Sequence, residues 1–139
     1  MNLKHYILSL FLLLGFSHQI IAVEKKQVVK AYIYTIPFST HSYGNFSEGS
    51  FGESRLYKKL SRKKARKLFE AVQNCSLQFK NRPLDLRVLI RFKGKKGKTI
   101  YVVGFDKWGY IQINNDTYFP EGKASRILQD YNIVFLKAN

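Results

Sequence analysis

The sequence predicts one small domain of the α+β class, an antiparallel β-meander of about four to six strands packed against one main amphipathic helix and a short C-terminal helix. Two observations predict this class. β-Branched and aromatic residues concentrate in short segments that are separated by turn residues. Apolar residues recur at helical spacing in one segment that follows a serine. The chain shows no internal repeat, so we expect a single domain.

The first predicted strand is Val28 to Ile36, which is rich in β-branched and aromatic residues and is followed by Pro37. Residues 37–54 contain Gly, Ser and Asn that break any periodicity, together with aromatic residues that are unusual in a disordered linker. We therefore predict a long ordered loop or an irregular hairpin there. Arg55 to Leu60 is predicted to be a short strand.

The main helix is predicted from Arg62 to Asn74, with Ser61 as its N-cap. Its apolar stripe should pack on a sheet, and consists of Ala65, Leu68, Phe69, Val72 and Cys75.

The sheet is predicted mainly from the segment that follows the helix. Leu86, Val88, Ile90 and Phe92 alternate there with Arg87, Leu89, Arg91 and Lys93. Later elements are a turn at 94–97, a strand at 99–103, a turn at 105–109, strands at 110–114 and 117–119, a helix at 123–131 and a last short strand, Ile133 to Leu136.

The first 22 residues are predicted to be a cleaved export signal. Lys4 provides a positive start, Ile7 to Phe16 is an apolar core, and Ser17 to Ala22 leads to a small residue. The alternative, an uncleaved membrane anchor, needs about 20 apolar residues, and the polar residues after Phe16 interrupt the stretch too early. Cleavage after Ala22 would leave residues 23–139 as the domain.

Charge is the strongest property of the remaining 117 residues. They keep 23 of the 24 Lys and Arg residues against all nine Asp and Glu, a formal net charge of +14. This imbalance favours an anionic partner, although a high net charge also keeps an exported protein soluble and monomeric. We expect a monomer.

The single cysteine, Cys75, cannot form an internal disulfide. Small extracellular animal domains usually carry several disulfides, so a bacterial periplasmic or secreted protein is the better interpretation. Cys75 is predicted to be a small buried apolar residue, and the alternative is a reactive or intermolecular thiol.

The segment Lys58 to Lys67 holds seven cations and no anion. If Ser61 caps the helix, cations fill the first turn, where the helix dipole disfavours them and where free amides would suit an anion. The alternative is a solvated face that Glu48 or Glu53 neutralises. The candidate binding residues here are Lys58, Lys59, Arg62, Lys63, Lys64, Arg66 and Lys67.

A second basic group is predicted on one face of the strand at 86–93, from Arg87, Arg91 and Lys93, with Lys95, Lys96 and Lys98 at the following turn. Tyr101 on the next strand would share that surface. The alternative is that these cations only protect an edge or solvent-facing surface of the sheet against aggregation. Trp108 is a further candidate, either as an exposed interface anchor or as a residue that covers the end of the core.

Catalysis finds little support in the sequence. His41 is the only histidine after residue 22, and the carboxylates show no paired spacing, so neither a metal site nor a cofactor is predicted. A Cys75–His41 nucleophilic pair and a weak hydrolase or nuclease built on His41 remain as minor hypotheses.

The sequence therefore predicts a small exported basic binding protein without catalysis. The first hypothesis is an inhibitor or immunity-type partner of an acidic protein. The alternative is a binder of an anionic polymer, such as nucleic acid, lipopolysaccharide or a cell-wall polymer.

Overall fold

A computed structural model describes residues 22–75, 83–113, 116–118 and 123–136. Most of the predicted export signal and residues 114–115 and 119–122 lie outside this part of the chain. The described elements are β1 (Lys30–Thr35), β2 (Leu56–Leu60), α1 (Arg62–Gln73), β3 (Leu86–Lys93), β4 (Thr99–Asp106), β5 (Ile111–Ile113), β6 (Asp116–Tyr118) and α2 (Lys123–Gln129).

The strands form one antiparallel sheet in the order β2-β1-β3-β4-β5-β6. Strands β3 to β6 follow each other as a meander, as the sequence predicted. Strand β2 pairs with the opposite side of β1, so the chain must pass from the edge of the sheet back to its centre before β3 begins. Helix α1 lies within this connection. The α+β class with one main helix and one short C-terminal helix is confirmed.

Helix α1 begins at the predicted position. Ser61 is its N-cap residue and its carbonyl accepts the Ala65 amide at 2.8 Å, but the Ser61 side chain makes no capping hydrogen bond. The apolar stripe is buried against the sheet, where the Phe69 ring meets Phe92 and Tyr101 edge-on. Helical spacing therefore identified the buried face of the helix correctly.

The second face of the sheet is also covered in part. The segment between β1 and β2 is a long ordered loop with two 3₁₀ turns, Glu48–Ser50 and Glu53–Arg55, as one predicted alternative had it. Phe46 and Phe51 from this loop pack over a second apolar cluster that includes Tyr34, Leu86 and Leu89. Strand β3 is thus buried on both faces, and Leu89 is only 1% exposed.

Two predictions near the C-terminus were wrong. Ile133 to Leu136 is not a strand, because the chain after α2 turns at Asn132 (φ 64°) and makes only isolated hydrogen bonds, such as Leu136 N–H to the Lys107 carbonyl. Strand β4 continues to Asp106, so Phe105 belongs to the strand and not to the turn. Phe105 is fully buried there and stacks on Phe135 at 5.6 Å. The strand continues through it because Phe105 pairs with both Val88 of β3 and Ile111 of β5.

Candidate anion-binding site

The strand register brings the basic segments to one end of the sheet. Ala31 pairs with Leu60, so β2 ends where β1 begins, and Lys30 pairs with Lys93, so β3 ends there too. The β3–β4 turn extends from this end, and α1 starts at it because it follows β2 directly. We call this end the cationic pole, formed by Lys30, Lys59, Arg62, Lys63, Lys64, Lys93, Lys95, Lys96 and Lys98.

The charges of the cationic pole are not neutralised by carboxylates of described residues. All of its cations are exposed except Lys93, which is half-buried. The ion pairs within the described ranges join Lys25 to Glu70, Lys26 to Glu24 and Arg87 to Asp85, and none includes a residue of the pole.

The two acidic residues expected to neutralise the basic run lie elsewhere. Glu53 precedes β2, whose first residue, Leu56, pairs with Tyr34 at the far end of β1. Its carboxylate accepts the Tyr34 hydroxyl at 3.3 Å. Glu48 lines a cleft of about 400 Å³ beside Leu86 and Gly104, also away from the pole. The hypothesis that these residues neutralise the run therefore has no support in the structure.

The first turn of α1 carries Arg62, Lys63 and Lys64 on exposed positions. The Ser61 side chain makes no hydrogen bond to the amides of this turn. The positive end of the helix dipole therefore lies beside three cations, without a capping side chain. An open cleft of about 510 Å³ borders this turn and is lined by Lys25, Arg62, Lys63, Arg66, Lys67 and Glu70.

Three arginines of the candidate set have structural partners. Arg66 donates from Nε to the Val28 carbonyl at 2.9 Å and from Nη2 to the Lys26 carbonyl at 2.7 Å, which ties the N-terminal segment to α1. Arg91 donates to the Phe51 carbonyl at 3.0 Å. Each of these guanidinium groups holds a loop or terminal segment against a regular element.

Arg87 is the most enclosed of the three and is only 7% exposed. It donates to Asp85 and to the carbonyls of Pro37 and Thr40, while its guanidinium lies 4.8 Å from the Phe46 ring centroid. A guanidinium with this many partners fixes the start of the loop and has little capacity left for a ligand.

The remaining candidates occupy different places. Lys58 is exposed midway along β2 and its Nζ lies 5.0 Å from the Tyr131 ring centroid. Lys67 is exposed beside the cleft at the start of α1. Trp108 is half-buried in the β4–β5 turn, at the end of the sheet opposite the pole, with Lys107 Nζ 5.0 Å from its ring. The structure therefore does not bring Trp108 together with the basic run.

The aromatic partner predicted for the second basic group was wrong. Tyr101 pairs with Phe92 and faces α1, so it lies on the opposite face of the sheet from Arg91. The aromatic residues that accompany the cations are Tyr32 and Tyr34 of β1. Alternation of Lys30, Tyr32 and Tyr34 in the sequence could have indicated this face, but only the β1–β3 pairing places it beside β3.

The structure gives the catalytic alternatives little geometric basis. His41 is exposed in the long loop. Burial raises the pKa of the Cys75 thiol, which disfavours the thiolate needed for nucleophilic attack. Within the described residues, no three His, Cys, Asp or Glu side chains are grouped so that they could hold a metal ion.

Within the part of the chain that the structure describes, no helix combines the length and the apolar character needed to cross a membrane. No protein-family model, curated protein or solved structure matches the chain.

Proposed function

We propose that this protein is an exported, non-catalytic binding protein that binds an anionic polymer at its cationic pole. The observation that carries the proposal is the convergence of nine cations from five segments on one end of the sheet, with no described carboxylate paired to any of them. Such an arrangement creates a local positive potential that attracts polyanions and releases their counterions on binding.

The composition of the pole favours a polymer over a specific protein surface. Protein interfaces usually contain a buried apolar or aromatic centre inside a polar rim. The large apolar side chains exposed in the described ranges are Tyr43, Tyr57, Val134 and Leu136, and none belongs to the pole. Lysines dominate the pole, and an ammonium group neutralises charge without demanding a particular partner geometry.

The salt dependence of binding to a synthetic polyanion tests this proposal. The logarithm of the affinity should fall linearly with the logarithm of the salt concentration, by about 0.7 to 0.9 for each neutralised phosphate of a nucleic acid. Lys63→Gln/Lys64→Gln should reduce that slope by about 1 to 2.

Lys123→Gln/Arg126→Gln is the matched control, because it removes two exposed cations from α2. This helix packs near Gly109, at the other end of the sheet. The control should keep the wild-type slope. Equal slopes for all three proteins would contradict binding at the pole.

An acidic protein is the second candidate partner, and the free edge of β2 favours it. Among the described strands β2 pairs only with β1, and Tyr57, Lys58 and Lys59 are exposed along it. An extended acidic segment could add to such an edge through backbone hydrogen bonds. A pull-down from envelope extract separates the candidates, because a specific protein partner should stay bound at high salt while a charge-bound polymer should dissociate.

A further inference from the structure

Three lysines of the pole share one face of the sheet with the aromatic ring of Tyr32. On β1, Lys30 and Tyr32 point to the same face of the sheet, since they are two residues apart. Lys59 of β2 lies directly opposite Tyr32, and Lys93 of β3 lies directly opposite Lys30. Four side chains from three neighbouring strands therefore share one small surface.

Two of these lysines contact the Tyr32 ring. Lys59 Nζ lies 5.1 Å and Lys93 Nζ 5.5 Å from the Tyr32 ring centroid. Lys93 Nζ also donates a hydrogen bond to the Thr99 hydroxyl at 2.7 Å. Both ammonium groups therefore lie against the same ring, and less side-chain entropy would be lost when an anion binds beside it.

This arrangement has an electrostatic cost that no carboxylate of the described residues offsets. Like charges directly opposite each other on neighbouring strands destabilise a sheet, and Lys30 and Lys93 form such a pair. No described carboxylate pairs with Lys30, Lys59 or Lys93. A local rule broken without compensation is expected where a ligand supplies the missing charge.

The side-chain types indicate which anion would bind. A bidentate fork needs an arginine, but Arg91, the arginine directly opposite Tyr32, donates to the Phe51 carbonyl instead. Separate ammonium groups act as point charges that suit the several oxygens of a phosphate. Because two lysines already lie against Tyr32, its ring is not free to stack on a base or a sugar.

We infer that Lys30, Lys59 and Lys93 form a phosphate-binding site at which the protein holds phosphate groups of its polymer. The inference rests on the proposed binding of an anionic polymer and adds the chemical group that is recognised. The phosphates could belong to a sugar–phosphate chain or to a chain of phosphates alone, and both present the same oxygens to the lysines.

The test compares inorganic polyphosphate with polyglutamate of equal charge, and uses oligothymidylate as the sugar–phosphate probe. Wild-type protein should bind polyphosphate about tenfold more tightly than polyglutamate, which is the effect of roughly one charge-assisted hydrogen bond. Lys59→Gln/Lys93→Gln should abolish this preference.

The control variant Lys95→Gln/Lys98→Gln removes two exposed cations from the neighbouring turn and should keep the preference, although its overall affinity falls. Preference for oligothymidylate over polyglutamate would also support the site and assign it to sugar–phosphate chains. Preference for polyphosphate alone would support the site and exclude sugar–phosphate chains as its ligand.

A direct structural readout is the NMR signal of the ε-methylene groups of Lys59 and Lys93, which the Tyr32 ring current shifts. Polyphosphate should displace these signals more than polyglutamate does. If wild-type protein binds both polymers equally, or if the Lys59/Lys93 variant keeps the preference, the phosphate site is wrong while polyanion binding stands. If no polyanion binds, the proposed function itself fails.

Discussion

The guanidinium of Arg87 donates two hydrogen bonds to one carboxylate oxygen of Asp85, at 3.0 Å from Nε and at 2.6 Å from Nη2. Its Nη1 donates to the carbonyls of Pro37 and Thr40 at 2.9 and 2.8 Å. The other oxygen of Asp85 accepts the Phe46 amide at 2.8 Å. This pair therefore fastens both the start and the middle of the long loop to β3.

Replacing Arg87 should destabilise the fold even when the charge is kept. In Arg87→Lys a single ammonium cannot satisfy Asp85 and two carbonyls together, and the expected loss is about 1 to 3 kcal/mol in the free energy of unfolding. Arg126→Lys, at an exposed position of α2, should stay within about 0.5 kcal/mol of wild type. Urea unfolding measures both, and equal midpoints would show that the Arg87 contacts contribute nothing.

Arg66 and Lys67 are neighbours on α1, and their variants should distinguish an effect on stability from an effect on binding. Arg66→Gln removes the bonds to the Val28 and Lys26 carbonyls and should cost about 1 to 2 kcal/mol of stability. Lys67→Gln removes the same charge from an exposed position and should leave stability unchanged.

Thermal unfolding and polyanion titration together measure these two effects. The folded variants should lose similar amounts of polyanion affinity, because both remove one charge near the pole. A thermal transition of Arg66→Gln at the wild-type temperature would contradict the structural role of this arginine.

Local patterns in the sequence predicted most of the fold. The spacing of Ala65, Leu68 and Phe69 located the buried face of α1, and alternation located β3. Pairing between distant segments was not predictable in this way. Tyr32 lies between Lys59 and the end of β3 because β1 lies between β2 and β3 in the sheet. No local sequence pattern specifies this strand order.

The role of an arginine also depends on tertiary neighbours. Arg62 and Arg66 belong to the same basic run, yet the first is exposed and the second donates to two carbonyls that lie 38 and 40 residues away in the chain. Composition identified the basic character of the site, while only the structure separated the cations that are free from those that support the fold.

A side chain at Gly104 should force the buried Leu86 side chain to move. A Cβ atom at this position would lie 2.8 Å from both Leu86 Cδ atoms, and Leu86 is only 2% exposed. Gly104→Ala should therefore cost about 1 to 3 kcal/mol, as expected for overpacking. Gly52→Ala is the control, because its Cβ would meet no atom within 4 Å. Chemical unfolding should show a loss only for Gly104→Ala, and double replacement with Leu86→Val should recover part of it.

Stability should decrease at alkaline pH. Burial raises the pKa of the Tyr101 hydroxyl, with partial offset from a hydrogen bond to Gln73, and burial likewise raises the pKa of the Cys75 thiol. Because the folded state holds these protons more tightly than the unfolded state, their stabilising effect is complete below the unfolded pKa values. It is lost as the pH rises through the raised values of the folded protein.

Tyr101→Phe tests the contribution of this hydroxyl. The free energy of unfolding of wild type should fall as the pH passes about 10, the ordinary range for tyrosine. The variant should fall less steeply above a pH of about 10, in a series of urea titrations, because the loss runs from the ordinary tyrosine pKa up to the raised pKa of the folded protein. Identical slopes for the two proteins would mean that ionisation of Tyr101 is not linked to folding.

Lys30 should strengthen polyphosphate binding and lower the stability of the fold. Lys30→Glu converts the like-charged pair with Lys93 into an oppositely charged pair across the same two strands, which should raise the free energy of unfolding by about 0.2 to 1 kcal/mol at low salt. The same change should weaken polyphosphate binding, because the new carboxylate repels the phosphate and competes for Lys93.

Lys95→Glu changes the net charge equally but lies in the β3–β4 turn, outside the strand pairs. It should weaken binding without the gain in stability, as thermal unfolding and polyphosphate titration of the two variants would show. A loss of both stability and affinity in Lys30→Glu would contradict the electrostatic cost assigned to this pair, because relief of the repulsion should stabilise the fold.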